Sequence, residues 1–197
     1  MTLASWLCKV ASMPRAGLST RAVVRTALEL IDEGGVEGLT LAAVAQRTGV
    51  ATPSLYKHVT GLAELRTLLG IQVLEEMTER FTAAVLGRSG DEAVTALMHA
   101  YRGYVLDHPH RYTLMPLDPL HDPALADAGG RLIGVVFAAL RDYGLTESQT
   151  VQATRRLRVV AHGFASLEAN GGFGLPEDLD ETYAQLIAVV LPKKARV

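Results

Sequence analysis

The stretch from Leu39 to Val59 reads LTLAAVAQRTGVATPSLYKHV, and its last third sets Ser54, Tyr56, Lys57 and His58 around one apolar residue, Leu55. With Leu55 as the inward anchor and Val59 as a second, these four side chains point elsewhere, and all are polar or part-polar. The chemistry they offer is hydrogen bonding and charge, at the positions where a reading helix would meet base edges and phosphates. Two short helices must position them. Thr40 is the expected N-cap of the first, and Ala42, Val44 and Ala45 give it a small apolar face. Residues 48–51 break the pattern, and Gly49 can take the positive φ that a sharp reversal needs. Thr52 is expected to cap the second helix, with Pro53 at its first position, where a missing N–H costs nothing. Ala45, Gly49 and Leu55 carry the spacing of a helix-turn-helix: a small residue where the helices touch, glycine in the turn, an apolar residue beneath the second helix.

Other chemistry finds less support. Five of the six histidines (His99, His108, His110, His121 and His162) lie in the C-terminal part, and His108-Pro109-His110 could chelate. Their spacing fits no zinc pattern and no cysteine sits nearby, so no metal is expected. There is no nucleophile elbow, no phosphate-cradling glycine loop and no HExxH. Gly171-Gly172-Phe173-Gly174 lacks the strand–helix context of a nucleotide fingerprint. The chain reads as a non-enzyme without a cofactor.

Around the helix-turn-helix the periodicity is helical throughout, and no alternating strand pattern of useful length occurs. Ser19 or Thr20 can cap a first helix to about Glu33, stopped by Gly34-Gly35. Thr60-Gly61 opens a long helix to about Leu86, with Leu62, Leu65, Leu69, Val73, Met77 and Phe81 on one face. Ser89 and Glu92 resemble a capping box for a helix to about Asp107. His108-Pro109 breaks that helix, and 109–123, with four prolines, should hold a short helix framed by turns. Further helices are expected from about Asp122 to Tyr143, from Thr146, with Gln149 completing a capping box, to about Asn170, and from Asp178 or Asp180 to about Leu191. His162, on an apolar face between Val160 and Phe164, reads as a hydrogen-bonded core residue. The expected fold is all-α, with about nine helices.

Apolar residues make up 49% of the 197 and charged residues 20%, a composition that packs. The single cysteine, Cys8, excludes an internal disulfide framework and fits a reducing cytoplasm. No apolar run reaches bilayer length, the longest lying near Ile133 to Leu140, so no membrane partner is expected. Met13-Pro14-Arg15 reads as the natural start, with residues 1–12 as an extension or loose arm and no signal peptide. Net charge is −2, but residues 1–66 carry +2 and the remainder −4. A positive end on an acidic body suits a bipartite nucleic-acid-binding protein, because phosphate contacts need local charge.

Residues 24–69 resemble the DNA-binding domain of TetR-family transcriptional regulators. The matching pieces are Ala27 through Gly35 (ALELIDEGG), Leu39-Thr40, Val44-Ala45, Thr48-Gly49-Val50, Ser54 through Val59 (SLYKHV) and Leu65. A second resemblance lies in 155–187, where Leu157, Ala161-His162-Gly163-Phe164, Leu167-Glu168, Gly172-Phe173 and Tyr183 are similar to the ligand-binding half of TetR regulators marked by Trp-His-Gly. Ala161 stands where the Trp would be. The resemblance places Thr52, Pro53, Ser54 and Lys57 on the DNA face, with Tyr56 and His58 donating to phosphates. Thr40, and Arg21 and Arg25 at the flanking backbone, complete the set. Leu62 stands where the family often has Lys, which removes one phosphate contact.

The tripeptide makes His162 the first pocket candidate, and Tyr101, Tyr104, Met115, Phe137 and Phe164 are candidates to line an apolar cavity between helices. The implied organisation is an arm (1–18), a helix-turn-helix domain (19–65), a ligand-binding and dimerisation domain (66–192) and a basic tail (193–197). The implied function is a repressor that binds a near-palindromic double-stranded DNA operator as a homodimer, joined through the last two long helices. A small apolar or amphipathic effector would release it. The alternative is an all-α small-molecule-binding or enzymatic protein whose helix-turn-helix is structural, which predicts no salt-sensitive operator binding.

Overall fold

Helix α1 (Thr20–Gly34) starts where the Ser19 hydroxyl accepts the Ala22 amide at 3.2 Å, and it stops at Gly35, whose φ of 76° a side chain would resist. The computed structural model describes residues 18–193. Cys8, Met13-Pro14-Arg15, nearly all of the expected arm and Lys194-Ala195-Arg196 of the expected tail lie outside the described residues. After a 3₁₀ turn (Val36–Gly38) come α2 (Leu41–Thr48), α3 (Thr52–Leu55), α4 (Leu62–Val85) and α5 (Gly90–Asp107). The short α6 (Pro109–Tyr112), then α7 (Ala126–Leu140), α8 (Glu147–Ala169) and α9 (Leu179–Val190) complete the described chain. Among the described residues the fold is all-α, with nine α-helices and no strand, as the periodicity requires.

Two apolar clusters organise these helices. In the first, Val23, Ala27, Leu28 and Ile31 of α1 meet Val44 and Ala45 of α2, Leu55 of α3, Val59, and Leu65 and Leu69 of α4. The second joins Val73, Leu74, Met77 and Phe81, further along α4, to the buried faces of α5, α7, α8 and α9. One 24-residue helix therefore supplies both cores, so a tilt of α4 in one is felt in the other.

Several local expectations are corrected. Ser89 makes no side-chain cap, and Glu92 turns to Arg88, Nε to Oε1 3.2 Å, instead of closing a box. The box at Thr146 and Gln149 does form. The helix expected from Asp122 begins only at Ala126, and its end tightens into a 3₁₀ turn, Arg141–Tyr143. Asp178, not Asp180, caps α9. The proline-rich stretch between α6 and α7 lies close against both α4 and α7. A Cβ on Gly129 would sit 2.8 Å from Pro119 Cβ, and one on Gly70 would sit 3.3 Å from Pro116 Cγ.

Candidate nucleic-acid interface and body clefts

The reading segment is held from below. Leu55 and Val59 are almost wholly buried, while Tyr56 keeps 57% of its surface and Lys57 is exposed beside it. Removing the Leu55 side chain would cost about 2–5 kcal/mol, so this anchor fixes the direction of its polar neighbours. Gly49, in the left-handed region at φ 71° and ψ 27°, lets the Val50 amide return to the Ala45 carbonyl at 3.0 Å and turns the chain from α2 into α3. Thr52 does not cap α3, in contrast to the expectation. The first bond of α3 runs from the Ser54 amide to the Ala51 carbonyl at 2.8 Å, which makes Ala51 the N-cap and leaves the Thr52 side chain free of capping. The turn continues past Leu55 through the His58 amide, which donates to the Leu55 carbonyl at 2.8 Å.

Of the flanking candidates, Arg21 and Arg25 border a cleft with Gln72, Glu76 and Arg111. Thr40 Oγ1 accepts from the Ala43 amide at 3.1 Å, capping α2 as expected and keeping its own proton free to donate. Thr20 Oγ1 donates to the His58 carbonyl at 3.2 Å, a positioning contact that sequence reasoning missed. It ties the start of α1, and with it the exposed Arg21, to the end of the reading segment. Arg25 is also exposed, with a loose 3.9 Å contact to Glu29. Arg47 is committed elsewhere, both terminal nitrogens meeting Glu33 at 2.9 and 2.6 Å, and this pairing holds the Glu33 carboxyl below its usual range.

In the body, two clefts meet at α8. The first is narrow, about 50 Å³, and almost entirely apolar; Tyr101 and Met115 stand on its wall with Phe81, Leu132 and Leu157. The second, about 320 Å³, is lined by His162, Tyr112 and, again, Met115. His162 is exposed rather than a core residue: the apolar face of α8 turns Ala161 and Phe164 inward and leaves the imidazole at the rim. Its Nδ1 lies 2.6 Å from the Tyr112 hydroxyl, which lies 2.5 Å from that of Tyr101, so one hydrogen-bonded chain links the clefts. Burial pushes the Tyr101 and Tyr112 phenols up, which keeps both neutral.

The remaining pocket candidates stand elsewhere. Tyr104 is buried and donates to Glu76 at 2.8 Å. Phe137 is partly exposed on α7. Phe164 stacks against Phe173 and Tyr183, under the guanidinium of Arg102. Among the described residues, no group of three or more His, Cys, Asp or Glu is arranged to hold a metal ion, and no helix is long and apolar enough to cross a membrane.

Head and body are joined by α6. Arg111 Nη2 meets Asp32 of α1 at 2.6 Å, and its Nη1 reaches Glu76 of α4 at 3.1 Å. The next residue, Tyr112, belongs to the chain between the clefts. Asp32 and Arg111 are 79 positions apart, and nothing in the local pattern around either marks the pair.

The matches with known proteins follow this division. Residues 15–61 match the family described as bacterial regulatory proteins, tetR family, and residues 94–190 match the tetracyclin repressor-like C-terminal domain. The uncharacterized HTH-type transcriptional regulator YobS of Bacillus subtilis is 33% identical over 179 residues, 90% of this chain and 93% of the relative. A second uncharacterized HTH-type regulator, Rv0681 of Mycobacterium tuberculosis, is 35% identical over 167 residues, 84% of this chain and 75% of the relative. Among solved structures, a TetR variant from Acinetobacter baumannii AYE in complex with minocycline shares the fold at a TM-score of 0.67 and 20% identity, covering 88% of this chain and 94% of that one. The chain belongs to the TetR family of transcriptional regulators, and it is a DNA-binding regulator of transcription.

Proposed function

We propose that this regulator is an effector-released repressor that works as a homodimer, with residues 19–65 as the DNA-binding head and 66–192 as the body. Thr52, Pro53 and Ser54 face the major groove, and Lys57, on the same DNA face, meets a phosphate. Tyr56, His58 and Thr40 hold phosphates, and Arg21 and Arg25 reach the flanking backbone. Outward apolar side chains on the last two long helices, Val159 at 71% exposure and Val189 at 80%, support pairing of two copies through α8 and α9.

The observation that carries the coupling is the position of α6. Its Arg111 holds the head at Asp32 and the connecting helix at Glu76, while its Tyr112 stands on a cleft wall. A molecule that shifts Tyr112 on entering the body moves the group that fixes α1 against α4. Release then follows if the ligand binds the displaced arrangement better than the DNA-bound one. The minocycline complex of the Acinetobacter relative supports a ligand-taking body.

Footprinting on the DNA upstream of the regulator's own gene tests this reading. Two protected half-sites about 10 base pairs apart or a multiple of it, occupied by two chains, are expected. A single half-site occupied by one chain would overturn the homodimer.

A further inference from the structure

We propose that the effector is an amphipathic carboxylate, whose acid group is held between Thr154 and Arg158, one turn apart on α8, while its apolar body fills the cleft beneath them. The assignment rests on the body cleft being the effector site. Arginines that are not fully exposed are normally paired, and here Arg80, Arg102 and Arg111 each meet a carboxylate. Half-buried Arg158 has no carboxylate partner among the described residues; its Nη2 donates to the Leu117 carbonyl at 3.1 Å. It lines both body clefts; the first is otherwise nearly all apolar, while the second also carries Tyr112, Thr113, His162, Ser166 and Asn170. The phenols beside it stay neutral and do not supply the missing anion.

Thr154 makes the second half of the case. Thr48, Thr67, Thr78, Thr150 and Thr182 all turn their hydroxyls back to a carbonyl four residues earlier. The Thr154 hydroxyl is buried on the cleft wall with no hydrogen-bond partner. Its spacing of four from Arg158 puts both donors on one face of α8. An O–H and a planar guanidinium fork together match a carboxylate, the fork offering two parallel N–H groups. An apolar cleft with a few convergent polar groups at one end selects a ligand with one charged head and a hydrocarbon or aromatic body. A cationic amphiphile would be repelled, and a neutral one would leave Arg158 without a counter-charge.

Calorimetric titration of the full chain with decanoate and with decanol, which share the tail and differ in the head, tests the proposal. Decanoate is expected to bind about tenfold tighter or more, the value of a charge-assisted hydrogen bond. Arg158→Met should bring decanoate down to the decanol level while decanol binding, which also reports the fold, stays unchanged; Arg158→Lys should keep part of the preference. Thr154→Val should weaken decanoate several-fold without lowering the melting temperature. Equal affinity for both probes, binding of neither, or a preference that survives Arg158→Met would overturn the proposal. Operator binding measured on the same samples separates the two readings. Intact DNA binding without selectivity for decanoate defeats only the carboxylate assignment. Selective decanoate binding that leaves operator affinity unchanged defeats the effector role and leaves the carboxylate site standing.

Discussion

Lys57 is exposed on the far side of Leu55, a compact ammonium on a flexible stem, suited to a phosphate rather than to a particular base edge. Lys57→Ala should therefore weaken operator binding by a similar factor across sequences and lower the salt-dependence slope by about 1, whereas substitutions of Ser54 should change sequence preference. Loss of discrimination with affinity retained in Lys57→Ala would contradict this division of roles; salt-dependent anisotropy on a set of operator variants reads it. In the body, Arg102 is only 8% exposed and joins α5 to Glu168 of α8 and Asp180 of α9, each at 2.6 Å. Arg102→Ala leaves Glu168 largely buried without its partner and should cost about 3 kcal/mol in chemical denaturation. A cost under about 1 kcal/mol would show that the triad behaves as a surface pair. Local residue types carried much of this level. The polar cluster around Leu55, the Thr40 cap and the Thr146–Gln149 box were all legible, because each involves neighbours within four positions. Arg102, Arg111 and Arg158 were not, since their significance lies in partners, or in the absence of one, that only the tertiary fold brings near.

At the scale of elements, the helices declared themselves through spacing and stop signals, and the errors fell at the ends. Thr52 precedes a proline, and the favoured capping residue lost to Ala51 because the first backbone bond closes one residue earlier. His162 followed the α8 periodicity closely enough to read as core, yet the buried stripe passes just beside it, through Ala161 and Phe164. Helix α6 is four residues long and could be expected only as a short piece between prolines, but it carries the contact between head and body. Arg111→Met should loosen α1 against that contact, so amide exchange should rise in α1 and α2 while α5 and α8 stay as protected as before. Uniformly faster exchange throughout would mean that Arg111 supports the whole fold and not one joint.

Across the whole molecule, five buried tyrosines set an alkaline limit. Burial raises the phenols of Tyr101, Tyr104, Tyr112, Tyr143 and Tyr183 above their ordinary value of 10.0, and carboxylate neighbours add to the shift at Tyr104 and Tyr143. Below that pH, both the folded and unfolded chains hold these protons and stability is unaffected. Above it the unfolded chain releases protons that the native one keeps, so stability falls as pH rises. Phenolate absorbance from these five should therefore appear together with loss of helical circular dichroism; any of the five ionising well before the helices melt would contradict its burial.

The central claim is that the cluster of half-buried Ser54 and His58 with exposed Tyr56 and Lys57 reads an operator. Its most direct test is an anisotropy titration of the purified protein on its own upstream intergenic DNA, against unrelated competitor and over a range of salt. Specific retention about a thousandfold or more above competitor, persisting at physiological salt, is the predicted result. Weak binding that competitor matches and salt erases would contradict it, and would leave the clefts of the body as the place where function resides.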